Sequence, residues 1–390
     1  MKLLIVCSTL DLKYRLGCTP SWWQLFKALH ENGNEVVTIP FLGDPVESLW
    51  WRAYPNPCAL ESKAYNHLLE YRKALGARLS VRGSTGPGNG GVLNRYIRKR
   101  WADGISTVLE REKDTDAVLF ISVPISYLTG IAGKIRDGYS LPVSFFEGDM
   151  PIALPSFVKD SGYRFSYYEG ADLSEFDAFF TNSRGVIPEL EELGARNIHP
   201  LYYAADPSLF QPVPLAKDHD ISFFGYGTGL REDWIRAMIT DPSEAMGRAR
   251  FAVGGKDMPA DLGSARFIGD LSYSAFRDFC CRSRICLNIT RSSHASVFAS
   301  SSARPFELAA FGACIVSNPC LGMEEWFEPG RELLIVQHPG EIADVYSGLL
   351  DSEEDRARLG EAARRRVLKD HTYGERAAQL VDVIQKIRSP

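Results

Sequence analysis

The stretch SSSARPFELAAFGACIVS, residues 300–317, runs from three serines through Pro305 into small apolar residues and ends in a β-rich run, ACIVS. Pro305 fits the first position of a helix, where its missing N–H leaves nothing unpaired. Glu307 then falls in the first turn, a lone carboxylate in a helix otherwise composed for burial. The pairing of an amphipathic stretch with a short apolar strand recurs along the chain. KLLIVC, EVVTI, AVLFISV, LPVSFF and AFFTN precede residue 183, and DISFFG, RFAVGG, RICLNI and ACIVS follow residue 219. This alternation predicts an α/β protein with parallel sheets flanked by helices. Two series of strands predict two doubly wound, Rossmann-like domains facing a cleft.

Between the two series lies YYAADPSLFQPVPLAKDHD, which carries three prolines and no hydrophobic period, the signature of a linker. The expected organisation is an N-terminal domain over 1–205, a linker over 206–219, a second domain over 220–370, and a last helix over 371–390 that packs back on the first domain. Thr372 and Glu375 have capping-box spacing for that helix, and Thr19-Pro20 supplies an N-cap and first-position proline for an early one. SVRGSTGPGNGGV, residues 80–92, is too rich in glycine for one conformation and reads as a mobile surface loop, a candidate lid.

The chain has 390 residues, 45% of them hydrophobic, and 44 basic against 49 acidic residues give a formal charge of -5. A nucleic-acid partner is not expected from that balance, so any anion site is local. The eight cysteines lack the repeated two-to-four-residue spacing of a zinc cluster and read as buried thiols of a reducing cytoplasm. The N-terminus, MKLLIVCSTLDLKYR, suits an opening strand better than a signal peptide, and no segment is apolar enough for a transmembrane span. Nothing in the sequence fixes an oligomeric state.

In doubly wound sheets ligands sit beyond the carboxyl ends of the strands, so the residues after each apolar run carry the functional information. In FFGYGTGLRED, Gly225, Gly227 and Gly229 would let backbone N–H groups approach a phosphate, with Arg231 nearby. An ordinary glycine-rich turn is the competing reading. A nicotinamide fingerprint is not supported, because RFAVGG ends without the acidic residue that such a site needs. Arg291 follows the strand ICLNI and could pair with a phosphate or stand as a solvated loop arginine. Ser300, Ser301 and Ser302 would present hydroxyls and N–H groups to a diphosphate at the positive end of a helix dipole, with Arg304 beside them. Glu307 repels phosphate but can accept hydrogen bonds from two adjacent ribose hydroxyls, unless it serves only the helix dipole.

RPFELAAFGACIVSNPCLGMEEWF and HTYGER, with FDAFFTNSRGVIPELEELGARNIHPLYYAADPSLFQP upstream, resemble the GT-B glycosyltransferases of the family 1/family 4 type, particularly their CgeB-like, spore-maturation-like branch. The resemblance implies a transferase that moves a sugar from a nucleotide-diphosphate sugar to a small-molecule, glycan or protein acceptor. It implies no further cofactor and, with no paired metal ligands in the sequence, no metal; the outcome in the resembling group is usually retaining. The family's two-glutamate motif places its second member on Glu307 and its first on Ala299, so the residue associated with the sugar is absent. The family's arginine after the first strand of the second domain matches Tyr226, and its lysine matches Arg231. Gly17 would face the acceptor side of the cleft, with Trp22 and Trp23 starting the next helix, although tryptophans there are more often core. Glu147 and Asp149 end the strand LPVSFF near the place of a family cleft histidine and are the candidate catalytic acids, able to bind an acceptor hydroxyl or take its proton; a capped turn is the structural alternative. Arg95, Arg98, Lys99 and Arg100 could attract an acidic acceptor or form a solvated helix face. His371 matches a family signature beside the capping threonine and reads as structural. Two other functions fit the same architecture: a sugar-nucleotide epimerase or hydrolase, and a nucleotide-sugar-binding protein without catalysis.

Overall fold

Leu4 and Val6 of the opening strand enter one apolar cluster, while Leu3, Ile5 and Cys7 enter another on the opposite face of the same sheet. This two-residue alternation inside an unbroken hydrophobic run is the mark of a strand covered on both sides. The computed structural model describes residues 1–10, 21–61, 92–157, 168, 171–227 and 230–388. Gly17, the Thr19-Pro20 helix start, Gly229 and the glycine-rich segment 80–91 lie outside the described residues.

The first sheet has seven parallel strands: β1 (Lys2–Cys7), β2 (Glu35–Pro40), β3 (Arg52–Ala53), β4 (Ala117–Ile121), β5 (Val143–Glu147), β6 (Ala178–Thr181) and β7 (Ile198–Pro200), in the order β3-β2-β1-β4-β5-β6-β7. The second has six: β8 (His219–Tyr226), β9 (Phe251–Lys256), β10 (Arg266–Gly269), β11 (Ser283–Asn288), β12 (Ile315–Ser317) and β13 (Leu334–Ile335), in the order β10-β9-β8-β11-β12-β13. Each is doubly wound, and the order reverses between β1 and β4 in one sheet and between β8 and β11 in the other. Those reversals open the crevices in which such sheets bind ligands. The apolar runs read from the sequence form β1, β2, β4, β5, β6, β8, β9, β11 and β12. The four strands without such a run, β3, β7, β10 and β13, lie toward or at the sheet edges and have two to four residues each.

The chain passes between the sheets twice, side by side. Ala205 bridges Thr372, with Ala205 N–H donating to His371 O and Tyr373 N–H donating to Ala205 O. His371 is buried there; its Nε2 lies 3.0 Å from Trp326 O and its Nδ1 2.7 Å from Arg376 Nη2. The helix Tyr373–Arg388 follows, its Glu375 N–H bound to Thr372 Oγ1. Tyr373, Ala377, Leu380 and Ile384 recur at helical spacing and join Leu25, Phe26 and Leu29 in the cluster on one face of the first sheet. Each fully buried leucine, isoleucine or phenylalanine among them contributes about 1.5–3 kcal/mol. Among the described residues no helix is long and apolar enough to cross a membrane, and the seven cysteines are buried free thiols.

Gly225 stands opposite Gly255 in the β8–β9 ladder. Gly255 has φ +125, and a Cβ on it would run into the carbonyl oxygen of Gly225. A Cβ on Gly227 would meet the Met258 and Asp257 backbone. Close approach of the two strand ends therefore accounts for glycine at 255 and 227. Gly255→Ala should destabilise the second domain by roughly 1–3 kcal/mol through overpacking, read as a lower urea midpoint; an unchanged midpoint would show that the β8–β9 contact is loose.

Candidate functional site

The crevice of the second sheet is lined by cations. Arg231 spans the ends of β8 and β11: its Nε donates to Ile289 O at 2.7 Å and its Nη1 to Tyr226 O at 3.3 Å. Arg291 follows β11 on a loop braced by buried amides. Thr290 N–H donates to Asn318 Oδ1 at 2.7 Å, Asn318 Nδ2 returns a bond to Thr290 O at 3.1 Å, and Asn288 Nδ2 donates to Ser317 Oγ at 2.9 Å. Arg304 lies over the rings of Phe276 and Phe224, 4.3 and 5.1 Å from their centroids. Burial, then the charges of Arg291 and Arg304, hold Arg231 below the ordinary arginine range. Partly desolvated guanidinium groups that repel one another gain from a polyanion between them.

Glu307 is 3% exposed, and its Oε2 accepts from Arg304 Nη1 at 2.8 Å. Burial raises its pKa and Arg304 opposes the rise. Its position differs from the expectation. The helix runs Ala303–Ala310 with Ser302 as N-cap, so Pro305 is the third helical residue and Glu307 the fifth, with no acid in the first turn. The physical reason is that all of the first four helical N–H groups lack intrahelical partners, so proline is tolerated throughout the first turn and does not mark its first residue. A dipole role for Glu307 weakens accordingly, because that effect fades beyond the first turn.

Two of the three serines are committed to the other domain. Ser300 Oγ lies 2.5 Å from Ser183 Oγ. Ser301 Oγ donates to Asn182 O at 3.0 Å and accepts from Tyr203 N–H at 3.0 Å, while Asn182 Nδ2 donates to Ser301 O at 2.9 Å. Arg184 N–H and Gly185 N–H add bonds to Ala299 O and Phe298 O. Segment 298–301 thus pairs with 182–185 and draws the domains together, and the hydroxyls expected to meet a diphosphate are occupied in this seam. Ser302 makes no side-chain capping bond.

On the first domain, Glu147 closes β5 and is 2% exposed. Its Oε1 accepts from Ser122 Oγ at 2.9 Å and from Asp149 N–H at 3.0 Å, and Ser122 Oγ accepts from Gly148 N–H at 3.0 Å. Its Oε2 is buried without a partner. Burial pushes the carboxyl up to about 7, against the hydrogen bond from Asp149 N–H. Asp149, two residues on, crosses the boundary: its Oδ1 accepts from Arg291 Nη2 at 2.9 Å. Trp22 is 4% exposed, packs edge-on against Phe146 at 5.2 Å, and lies against Gly148, whose carbonyl accepts from Tyr203 OH at 2.7 Å. It supports the loop from behind. Of the basic helix residues, Arg98 is bound to Ser126 O and Arg100 to Pro57 O, while Arg95 and Lys99 are exposed.

The structure therefore unites Arg231, Arg291, Arg304, Glu307 and Asp149 where the two domains meet, with Glu147 beneath Asp149. It also contains residues that the sequence reading passed over: Ser122 and Asn182, far from their partners in the chain, and His294, three residues after Arg291.

Residues 231–382 match a family model described as glycosyl transferase-like. That match covers most of the second domain and reaches into the last helix. No curated protein matches the chain. Among solved structures, sucrose-phosphate synthase from Thermosynechococcus elongatus aligns with TM-score 0.68 and 14% identity over 99% of both chains. A glycosyltransferase from Rickettsia africae ESF-5 aligns with TM-score 0.64 and 12% identity, covering 100% of this chain and 98% of that one. HepE from Anabaena, in complex with UDP and glucose, aligns with TM-score 0.64 and 11% identity over 99% of this chain and 100% of that one. The two parallel-sheet α/β domains thus have the GT-B architecture along the whole described chain.

Glu147 makes a pH prediction. Its folded pKa of about 7 lies above its ordinary 4.5, so the folded state holds the extra proton between those values. Stability falls as pH rises through that window, by at most roughly 3 kcal/mol once both states are ionised. Glu147→Gln should flatten the dependence of the thermal midpoint between about pH 5 and about pH 8; an unaltered slope would mean that Glu147 ionises normally in the folded protein.

Proposed function

We propose that the chain is a glycosyltransferase of hexosyl type that takes its sugar from a nucleoside diphosphate donor, without a divalent metal and with retention at the anomeric carbon. The observation that carries the reading is the convergence of Arg231, Arg291 and Arg304 beside the buried Glu307, at the strand ends of a domain whose sequence matches a glycosyl transferase-like model. The diphosphate lies against the arginines, which neutralise the leaving group, and Glu307 receives the ribose hydroxyls. Arg291 is then shared no longer with Asp149. For retention the acceptor oxygen bonds to the anomeric carbon on the face from which the diphosphate oxygen departs, that departing oxygen takes the acceptor's proton, and Asp149 orients the acceptor by accepting a hydrogen bond from its hydroxyl. Glu147 holds the Asp149 backbone N–H and so the loop. The buried thiols support a reducing, cytoplasmic setting.

A second reading, binding without transfer, draws support from Ala299. This residue stands where the resembling family has its sugar-associated glutamate, is fully buried, and takes a left-handed backbone with φ 49. Product analysis with UDP-glucose separates the possibilities: transfer to an acceptor, release or isomerisation of sugar without one, or binding with no turnover.

UDP is the first probe, because HepE was crystallised with UDP and glucose. Calorimetry should give the same affinity with and without chelator; among the described residues no three His, Cys, Asp or Glu side chains gather to hold a metal. Loss of binding in chelator would overturn the metal-independent reading. Glu307→Gln should weaken UDP binding about tenfold or more, since hydrogen bonds to charged groups contribute roughly 1.5–3 kcal/mol. The wild type should discriminate against 2′,3′-dideoxy-UDP and the variant should not. Equal binding by variant and wild type would remove Glu307 from the ribose site.

A further inference from the structure

We infer that His294 is a positioning residue for Arg291: a neutral acceptor that fixes the guanidinium of the diphosphate site without cancelling its charge. The inference deepens the proposed function and rests on it for the identity of the ligand.

His294 is 2% exposed and sits in the short turn of helix Ser292–Ala295. Its backbone N–H donates to Arg291 O at 3.0 Å, so the two residues are held on one turn. Its Nε2 lies 3.2 Å from Arg291 Nη2, and its Nδ1 lies 3.4 Å from Ser293 Oγ. An arginine has donors only, so Nη2 must donate and Nε2 must offer its lone pair. The ring proton then belongs on Nδ1, facing the serine hydroxyl. Around the ring stand the positive charges of Arg291 and Arg231 and the negative charge of Asp149. Burial first, then Arg291, pushes His294 down to about 3, so the ring stays neutral.

The chemistry of the two partners of Arg291 differs. Nη2 carries two N–H bonds, and the structure directs one to His294 and one to Asp149 Oδ1. Asp149 belongs to the opposite domain, carries charge, and can be exchanged for a phosphate oxygen. His294 belongs to the same loop and cannot leave with the other domain. A carboxylate in place of His294 would hold the arginine equally well but would compete with the donor for its charge. An imidazole kept neutral holds it and leaves the full positive charge for the anion.

The tautomer is measured directly by long-range ¹H–¹⁵N correlation on the full chain, with His294 assigned from the spectrum of His294→Gln. The expected result is a proton on Nδ1 and no titration between about pH 5 and about pH 8. A proton on Nε2, or titration in that range, overturns the inference whether or not the protein binds nucleotide. UDP titrations supply the second arm. His294→Leu should weaken UDP about fivefold to tenfold, the effect of one lost hydrogen bond, and His294→Gln, which keeps an acceptor, should recover most of the loss. In an Arg291→Ala background His294→Leu should cause no further loss. An equal loss in both backgrounds assigns His294 a general structural role and overturns the inference. A wild type that ignores UDP sinks the diphosphate reading, and the tautomer still decides the contact.

Discussion

Arg291 can only donate hydrogen bonds, and its Nη2 donates to a carboxylate of one domain and an imidazole of the other. The rest of the site is arranged around this junction. The amides of Asn288 and Asn318 brace the loop that carries it, and the Glu147–Ser122 pair braces the loop that carries Asp149. Each loop is held both by the last residue of its own strand and from the end of the neighbouring strand, by Asn318 after β12 in one case and Ser122 after β4 in the other. An unmade hydrogen bond at a buried group such as Asn318 would cost about 1–3 kcal/mol.

Low dielectric governs the ionisable groups at the boundary. Glu147 and Glu307 are both buried, and burial raises both pKa values, but the compensations differ. Glu307 has the Arg304 guanidinium against it, itself covered by the Phe276 and Phe224 rings. Glu147 has only neutral donors and an unpartnered Oε2. A carboxylate beside a cation remains available to accept from sugar hydroxyls. One held by neutral donors in an apolar setting is better suited to hold a backbone turn.

The covalent crossings between the domains lie on the same boundary. The two covalent crossings lie together at Ala205 and Thr372, and Arg376 ties the last helix to Tyr202 O and His371. Away from those crossings, among the described residues, the domains are joined by the short pairing of 182–185 with 298–301 and by two ion pairs, Asp149 with Arg291 and Arg184 with Glu325. Exposed pairs such as the latter contribute about 0–1 kcal/mol. The seam is therefore held chiefly by serine, asparagine and backbone groups, with Val297 packed against the core of the first domain.

The sequence alone determined the α/β class, the two strand series and the strands of the sheet interiors, because a strand covered on both faces must be a continuous apolar run such as KLLIVC or RICLNI. It pointed to Arg231, Arg291 and Glu307 because ligand groups follow strand ends. It also drew attention to Ser300 and Ser301, but a serine after a polar run looks the same whether its hydroxyl meets a phosphate or Asn182, 119 residues away. The edge strands β3, β7, β10 and β13 left little trace, since two to four residues make no period. Which charges meet across the boundary was decided by tertiary structure alone. Asp149 and Arg291 are 142 residues apart and pair only because two strand ends approach across the boundary, and it is the burial of His294 in the folded chain that keeps its ring neutral.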